Sequence, residues 1–181
     1  KDRAYFERTM ARAMAEGRRV LQPHGIGVVV FAHKSTEGWE AQLAAMIEAG
    51  WVVTGSWPID TERQSKVNTI DRAFLGSSVH IVCRPREDAK GVPCSDLIGD
   101  WRDVLQELPR RIHEWMPRLA REGVVGADAI FACLGPALEV FSRYSRVEKP
   151  SGEEVRLREY LEHVWAAVAK EALNMVFAGA D

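Results

Sequence analysis

A chain of 181 residues and 20.3 kDa suits one domain, or one domain with an appendage, and can bury roughly two-thirds of its unfolded surface without a metal or disulfide. Hydrophobic residues make up 46% and charged residues 28%, and six Trp and six Phe supply enough apolar surface to exclude intrinsic disorder. The 24 Lys and Arg against 26 Asp and Glu leave a net charge of -2, which excludes a generally basic coat but not a local basic patch.

Phe6, Met10, Ala13, Met14 and Leu21 recur at helical spacing and predict a first helix, broken at Pro23 and Gly25. Residues 26–32 (IGVVVFA) form a continuous, β-branched apolar run, the pattern of a strand buried on both faces. Ser35 or Thr36 caps the next helix, whose stripe is Trp39, Leu43, Met46 and Ile47 and whose end is Gly50. Residues 51–57 (WVVTGSW) read as a second strand closed by Pro58, so 26–57 is a β-α-β unit with parallel strands and a right-handed crossover. Residues 60–76 are polar, with room for a short helix near Ile70 to Leu75, and 78–84 (SVHIVCR) alternate toward a third strand. Periodicity does not fix that strand's direction.

Beyond Arg84 the composition shifts. Residues 87–95 read as a linker between an α/β piece (1–86) and an all-helical region (96–181). Leu97, Trp101, Val104, Leu108, Ile112, Trp115 and Leu119 define a long stripe, with bends expected at Pro109 or Pro117. Asp128 caps a short helix over 129–134, and Gly135-Pro136 starts another through Tyr144. Ser151 with Glu154 has the form of a capping box for the last helix, which carries Leu161, Val164, Trp165, Val168, Ala172 and Val176 on one face.

Cys83, Cys94 and Cys133 form no CxxC, so neither a zinc ribbon nor a disulfide framework is encoded, and isolated thiols of this kind suit a reducing, cytoplasmic setting. No apolar run approaches the roughly 20 residues of a membrane span, and no signal peptide is visible. The chain begins at Lys1 without Met, inside an amphipathic pattern, which is the expectation for a fragment.

GxGxxG, GxxxxGK[ST], HExxH and GxSxG are all missing, which lowers the expectation of a self-contained enzyme. The most suggestive cluster is 31–36 (FAHKST), at the carboxyl end of the first strand, where open α/β sheets bind ligands. His33 and Lys34 suit a phosphate or a polar base edge, and the following helix N-terminus favours anions. The plainer alternative is that Ser35 or Thr36 only caps the helix while His33 and Lys34 are solvated. Trp57 is able to stack on a base, although such a Trp also serves simply to cover a sheet edge. Arg63, Lys66 and Arg72 are able to meet phosphates, yet Asp60, Glu62 and Asp71 lie among them, as in a merely solvated loop. His80 reads as an outward strand residue, Arg84-Pro85-Arg86 as a minor basic step, Trp101 and Trp115 as core, and no general acid/base pair stands out.

The stretch YFERTMARAMAEGRRVLQPHGIGVVVFAHKSTEGWEAQLAAMIEAGWVVTGSWPIDTE resembles the last part of the catalytic domain of adenine-specific DNA methylases. The group in question is the large bacterial and archaeal one that carries an inserted zinc ribbon. The resemblance continues through SSVHIVCRPR and, more weakly, ADAIFACLGPALEVFSRYSRV. It implies part of a Rossmann-like, S-adenosylmethionine-dependent methyltransferase sheet of about three strands, the last antiparallel and inserted between the other two. His33, Lys34, Ser35, Trp57, Ser77 and Ser78 would then line the side of a pocket that receives a flipped target base.

The departures from that family are substantial. Neither the glycine-rich donor loop nor the Asp-Pro-Pro-Tyr motif, which holds the exocyclic amine and stacks on the base, occurs in this chain. Zinc-ribbon cysteines are absent, and residues 63–76 differ from the family's small-residue-rich stretch, so no catalytic residue carries over. The resemblance therefore implies the C-terminal portion of an enzyme that methylates an exocyclic amine, adenine favoured, with DNA as partner through the full-length protein. The isolated chain is expected to be inactive, to bind S-adenosylmethionine negligibly, and to self-associate through the surface a missing N-terminal half would cover. The alternative from another class is a non-catalytic nucleic-acid-binding or interaction module. Lys and Arg slightly outnumber acids in residues 1–90 and are outnumbered in 91–181, which assigns any DNA contact to the α/β part.

Overall fold

Two parallel strands joined by a helix leave a slot between them, and here the third strand fills it. The computed structural model describes residues 3–33, 35–60, 77–124 and 127–178. Helix α1 (Arg3–Val20) leads into strand β1 (Gly27–Phe31), helix α2 (Thr36–Glu48), strand β2 (Trp51–Asp60) and strand β3 (Ser77–Pro85). The sheet order is β1-β3-β2, with β3 antiparallel to both neighbours. β1 and β2 therefore run parallel to each other without touching, and the third strand's direction, open from periodicity, is antiparallel as the resemblance implies.

The sheet has one covered and one open face. Val29 and Phe31 on β1 stand level with Ile81 and Val79 on β3, and Ser56 and Pro58 on β2 share those rows. Val53, Val79, Ile81 and Cys83 on this face are almost completely buried. On the other face Val28, Val30, Trp57 and Ile59 remain 40–58% exposed. β1 alternates as a half-covered strand, so the expectation of burial on both faces is corrected: nothing among the described residues packs on Val28 and Val30. The register of β2 against β3 slips between Val53 and Gly55. That bulge puts Ser56 on the covered face and Trp57 on the open one, where strict alternation from Val53 would have done the reverse. β2 also continues to Asp60, so Trp57 sits inside the strand rather than at its end.

The covered face is roofed by helices α2 and α4 (Ala127–Ser142), joined by α3 (Trp101–Arg121) and α5 (Leu157–Ala178) in one hydrophobic cluster. α2 begins at Ser35, whose hydroxyl accepts from Gly38 N at 3.2 Å, and is left through Gly50 at φ 84°. α3 buries Trp101, Val104, Leu108, Ile112, Met116 and Leu119 and runs through both Pro109 and Pro117. Trp115, expected in the core, is only half-buried with Arg118 over its ring, because Met116 takes the inward position.

The carboxyl-terminal region is not all helical, contrary to expectation. Strands β4 (Ile98–Asp100) and β5 (Arg146–Glu148) form a short parallel pair. Leu97, assigned to the α3 stripe by its spacing, lies ahead of β4, and its carbonyl accepts from Ser145 N and Oγ at 2.7 and 2.9 Å. Gly99 is required there, since a Cβ would enter the Tyr144 ring. Ser151 and Glu154 do not cap α5. They belong to the turn after β5, where Glu153 N donates to Ser151 Oγ and Val155 N donates to Val147 O. Nor does Gly135-Pro136 divide two helices, because α4 is continuous across it.

That continuity has a local cause. Pro136 has no N–H to give the carbonyl of Ala132, four residues back. The Ser56 hydroxyl, from β2, lies 2.6 Å from Phe131 O and 3.2 Å from Ala132 O, and accepts from Gly135 N at 2.7 Å. A strand side chain thus enters the helix ladder and satisfies the groups the proline leaves open. Gly135 permits the approach, since a Cβ there would overlap Gly55 and Ser56 backbone.

Candidate functional site

The carboxyl ends of β1 and β2 meet the amino end of β3 at one end of the sheet: Val79 stands between Phe31 and Pro58, Ser78 is level with Ile59, and Ser77 with Asp60. His33, two residues beyond β1, lies at this end. Its imidazole stacks on the Phe31 ring at 6.0 Å and leans over the first turn of α2. Gly38 makes that position available, since a Cβ there would fall inside the ring.

His33 Nδ1 accepts from Ser35 N at 3.1 Å and lies 3.3 Å from Ser35 Oγ. The bond from Ser35 N favours the neutral tautomer with its proton on Nε2, whereas the contact of Nδ1 with Ser35 O at 3.3 Å suits the other. Nε2 makes no hydrogen bond among the described residues, and the side chain is exposed. The result is one oriented imidazole, held at its Nδ1 edge. Ser35 is committed to the α2 cap, so of the two readings of this cluster, capping holds for Ser35, while His33 belongs to the cap's structure rather than simply being solvated.

The remaining candidate residues do not all converge. Trp57 shares its row with His80 and Val30 on the open face, whereas the His33 ring stacks on Phe31 of the covered face. The two are therefore on opposite sides of the same sheet end. Ser78 is buried in the central strand, and it alternates onto the face of His80 and Trp57. Ser77 is placed at the strand start opposite Asp60. Lys34, Arg63, Lys66 and Arg72 lie outside the described residues.

Sequence reasoning missed the parts played by Trp39 at this end and by Arg86 at the other. Trp39 Nε1 donates to His33 O at 3.0 Å while its ring meets Phe31 edge-on at 5.1 Å and Phe131 at 5.6 Å. Its position on the α2 stripe signalled burial but not this second role. Arg86, read as a minor basic step, is nearly buried, and donates from Nε to Ser142 O and from Nη2 to Ile47 O, both at 3.0 Å. It joins the carboxyl ends of α4 and α2 at the opposite end of the sheet, where a cation complements both helix dipoles, although burial pulls its pKa below the usual arginine value. Cys83 and Cys133 are also buried, which pushes both thiols up to about 12, with Glu171 adding to the rise at Cys133. These are structural thiols.

Among the described residues no glycine turn fits an S-adenosylmethionine site. Donor binding needs glycines in a strand-to-helix turn that let backbone approach the ligand. Here the positive-φ glycines, Gly50, Gly91, Gly123 and Gly152, follow helices or lie in other turns. The Cβ space of Gly38, in the first turn of α2, is filled by His33. Recesses of about 430 Å³ between α1 and α2 and about 540 Å³ beside Arg86 and Cys94 lie away from the His33 end. Among the described residues no group of His, Cys, Asp and Glu is placed to hold a metal ion, and no helix is long and apolar enough to cross a membrane. The chain matches no protein-family model, no curated protein and no solved structure.

Proposed function

We propose that this chain is the C-terminal portion of a DNA methyltransferase that acts on an exocyclic amine of a base, adenine favoured, and that it contributes one wall of the target-base pocket but neither the donor site nor the catalytic motif. The observation that carries this reading is the β1-β3-β2 order with β3 reversed between two mutually parallel strands, the ending that the sequence resemblance implies for a Rossmann-like methyltransferase sheet. The chain's own contribution at this end is the His33 imidazole, whose Nε2 has no partner among the described residues. An imidazole of this kind suits a polar base edge or a phosphate oxygen of an extruded nucleotide. The open face and the free edge of β1 are the surfaces at which the rest of such a sheet, or a second copy of the chain, would join.

Two measurements test the reading. Titration calorimetry of the chain with S-adenosylmethionine is expected to show no binding; micromolar affinity would overturn the assignment of the donor site to the missing part. In the full-length protein, His33→Ala is expected to lower methyl transfer, and Trp57→Ala is the companion variant from the open face; wild-type rates in both would refute the pocket. A second reading, a nucleic-acid-binding module without catalysis, draws on half-exposed Trp57 beside His80 on the open face. It requires the chain alone to bind single-stranded DNA with steep salt dependence, lost in Trp57→Ala.

A further inference from the structure

The helical region has no role in the reading above beyond covering the sheet, yet one of its side chains reaches the site. Phe131 projects from α4 onto Trp39 at 5.6 Å, Trp39 meets Phe31 edge-on at 5.1 Å, and Phe31 stacks within 6° of parallel on His33. Trp39 also holds the His33 backbone through the 3.0 Å bond from Nε1 to the carbonyl. At the Nδ1 edge of the ring, Ser35 N and the bare Cα of Gly38 complete the seat. Phe131 is itself fixed, because its carbonyl receives the Ser56 hydroxyl at the Pro136 break. The aromatic row is thus anchored at one end in the helical region and ends at the other on the imidazole.

We infer that Phe131 and Trp39 are positioning residues for His33, so that the helical region sets the orientation of the imidazole at this end of the sheet. A ring held by a stack on its face and a backbone N–H at its Nδ1 edge loses its freedom in χ1 and χ2. Without the row, Phe31 and the His33 carbonyl lose their support and the imidazole is free to rotate from the α2 cap. The value of this for base recognition rests on the reading proposed above; the positioning itself does not.

Ring ¹⁵N NMR of His33 in the chain as it stands is the direct test. The wild type is expected to show the wide separation between Nδ1 and Nε2 shifts that marks one neutral tautomer, with Ser35 N–H shifted by its bond to Nδ1. Phe131→Ala and Trp39→Phe are expected to collapse that separation toward the average, and Phe131→Tyr to restore it. Gly38→Ala, which fills the seat directly, should give the same loss. Leu108→Ala, a buried change on α3, controls for general loosening. Unchanged His33 and Ser35 signals in both Trp39→Phe and Gly38→Ala, or an equal collapse in Leu108→Ala, would overturn the inference. If the signals respond but His33→Ala leaves methyl transfer intact in the full-length protein, the positioning stands and the place of His33 in the target-base pocket fails.

Discussion

The two faces of the three-stranded sheet are built from similar residues and treated in opposite ways. On one, Val53, Val79 and Ile81 are sealed beneath helices, and two hydroxyls that approach are engaged: Ser56 in the α4 ladder, and Ser142 Oγ accepting from Val53 N at 2.9 Å. On the other, Val28, Val30, Trp57 and Ile59 stand in the open beside an edge strand that carries no charge. Soluble chains normally guard such an edge with Lys, Pro or a bulge. The contrast separates the face that the described residues cover from the one that they leave open.

The comparison makes its strongest demand on stability. Ile81→Ala, 1% exposed, should cost about 2–5 kcal/mol in urea unfolding. Val30→Ala, in the next strand but on the open face, should stay within about 0.5 kcal/mol. Similar losses for both would mean that the open face is covered in the chain as it folds.

Next in size is the junction of β2 with α4. Gly135→Ala places a methyl group in Gly55 and Ser56 backbone, which cannot swing aside, and should cost about 1–3 kcal/mol. Ser56→Ala should fall in the same range of about 1–3 kcal/mol, since Gly135 N and the Phe131 and Ala132 carbonyls lose their partner. A neutral result for both would show that α4 bridges Pro136 without the strand.

A smaller effect concerns acid. Asp100 caps α3, and its hydrogen bonds from the Arg102 side chain and backbone hold its carboxyl at about 2. The folded value lies below the unfolded one, near 4. Its contribution is therefore complete above pH ~4 and is lost as pH falls toward 2. Asp100→Asn should flatten the stability profile across that window while leaving neutral pH less affected. The last test reads burial alone. Iodoacetamide at pH 8 should label partly exposed Cys94 and spare Cys83 and Cys133, whose thiols burial keeps protonated.

Much of the first half of the fold was legible in the residues. The β-branched run at 26–32, the Trp39-Leu43-Met46-Ile47 stripe and Gly50 mark strand, helix and stop because each obeys a local period or a local φ requirement, and the observed β1, α2 and cap agree to within a residue or two. The site was only partly legible. FAHKST lies at the carboxyl end of β1, as its place in the sequence implied, but Ser35 proved to be a cap, and Trp57 faces away from His33. Ser151-Glu154 and Gly135-Pro136 carried correct local signals that were overruled, the first by pairing of the 148–155 turn and the second by Ser56.

Sequence by itself determined the order of the elements through β3 and most of the amphipathic stripe of α3, since these depend on neighbours a few residues apart. The tertiary structure decided the rest. A single bulge between Val53 and Gly55 chose which of Ser56 and Trp57 would meet the helices; Arg86 became a buried tie because two helix ends happen to converge on it; and Phe131, about 100 residues from His33 in the chain, came to lie behind its ring. Each depends on groups far apart in the chain, whose pairing is settled only when the sheet and the helices pack and every buried donor and acceptor must find a partner.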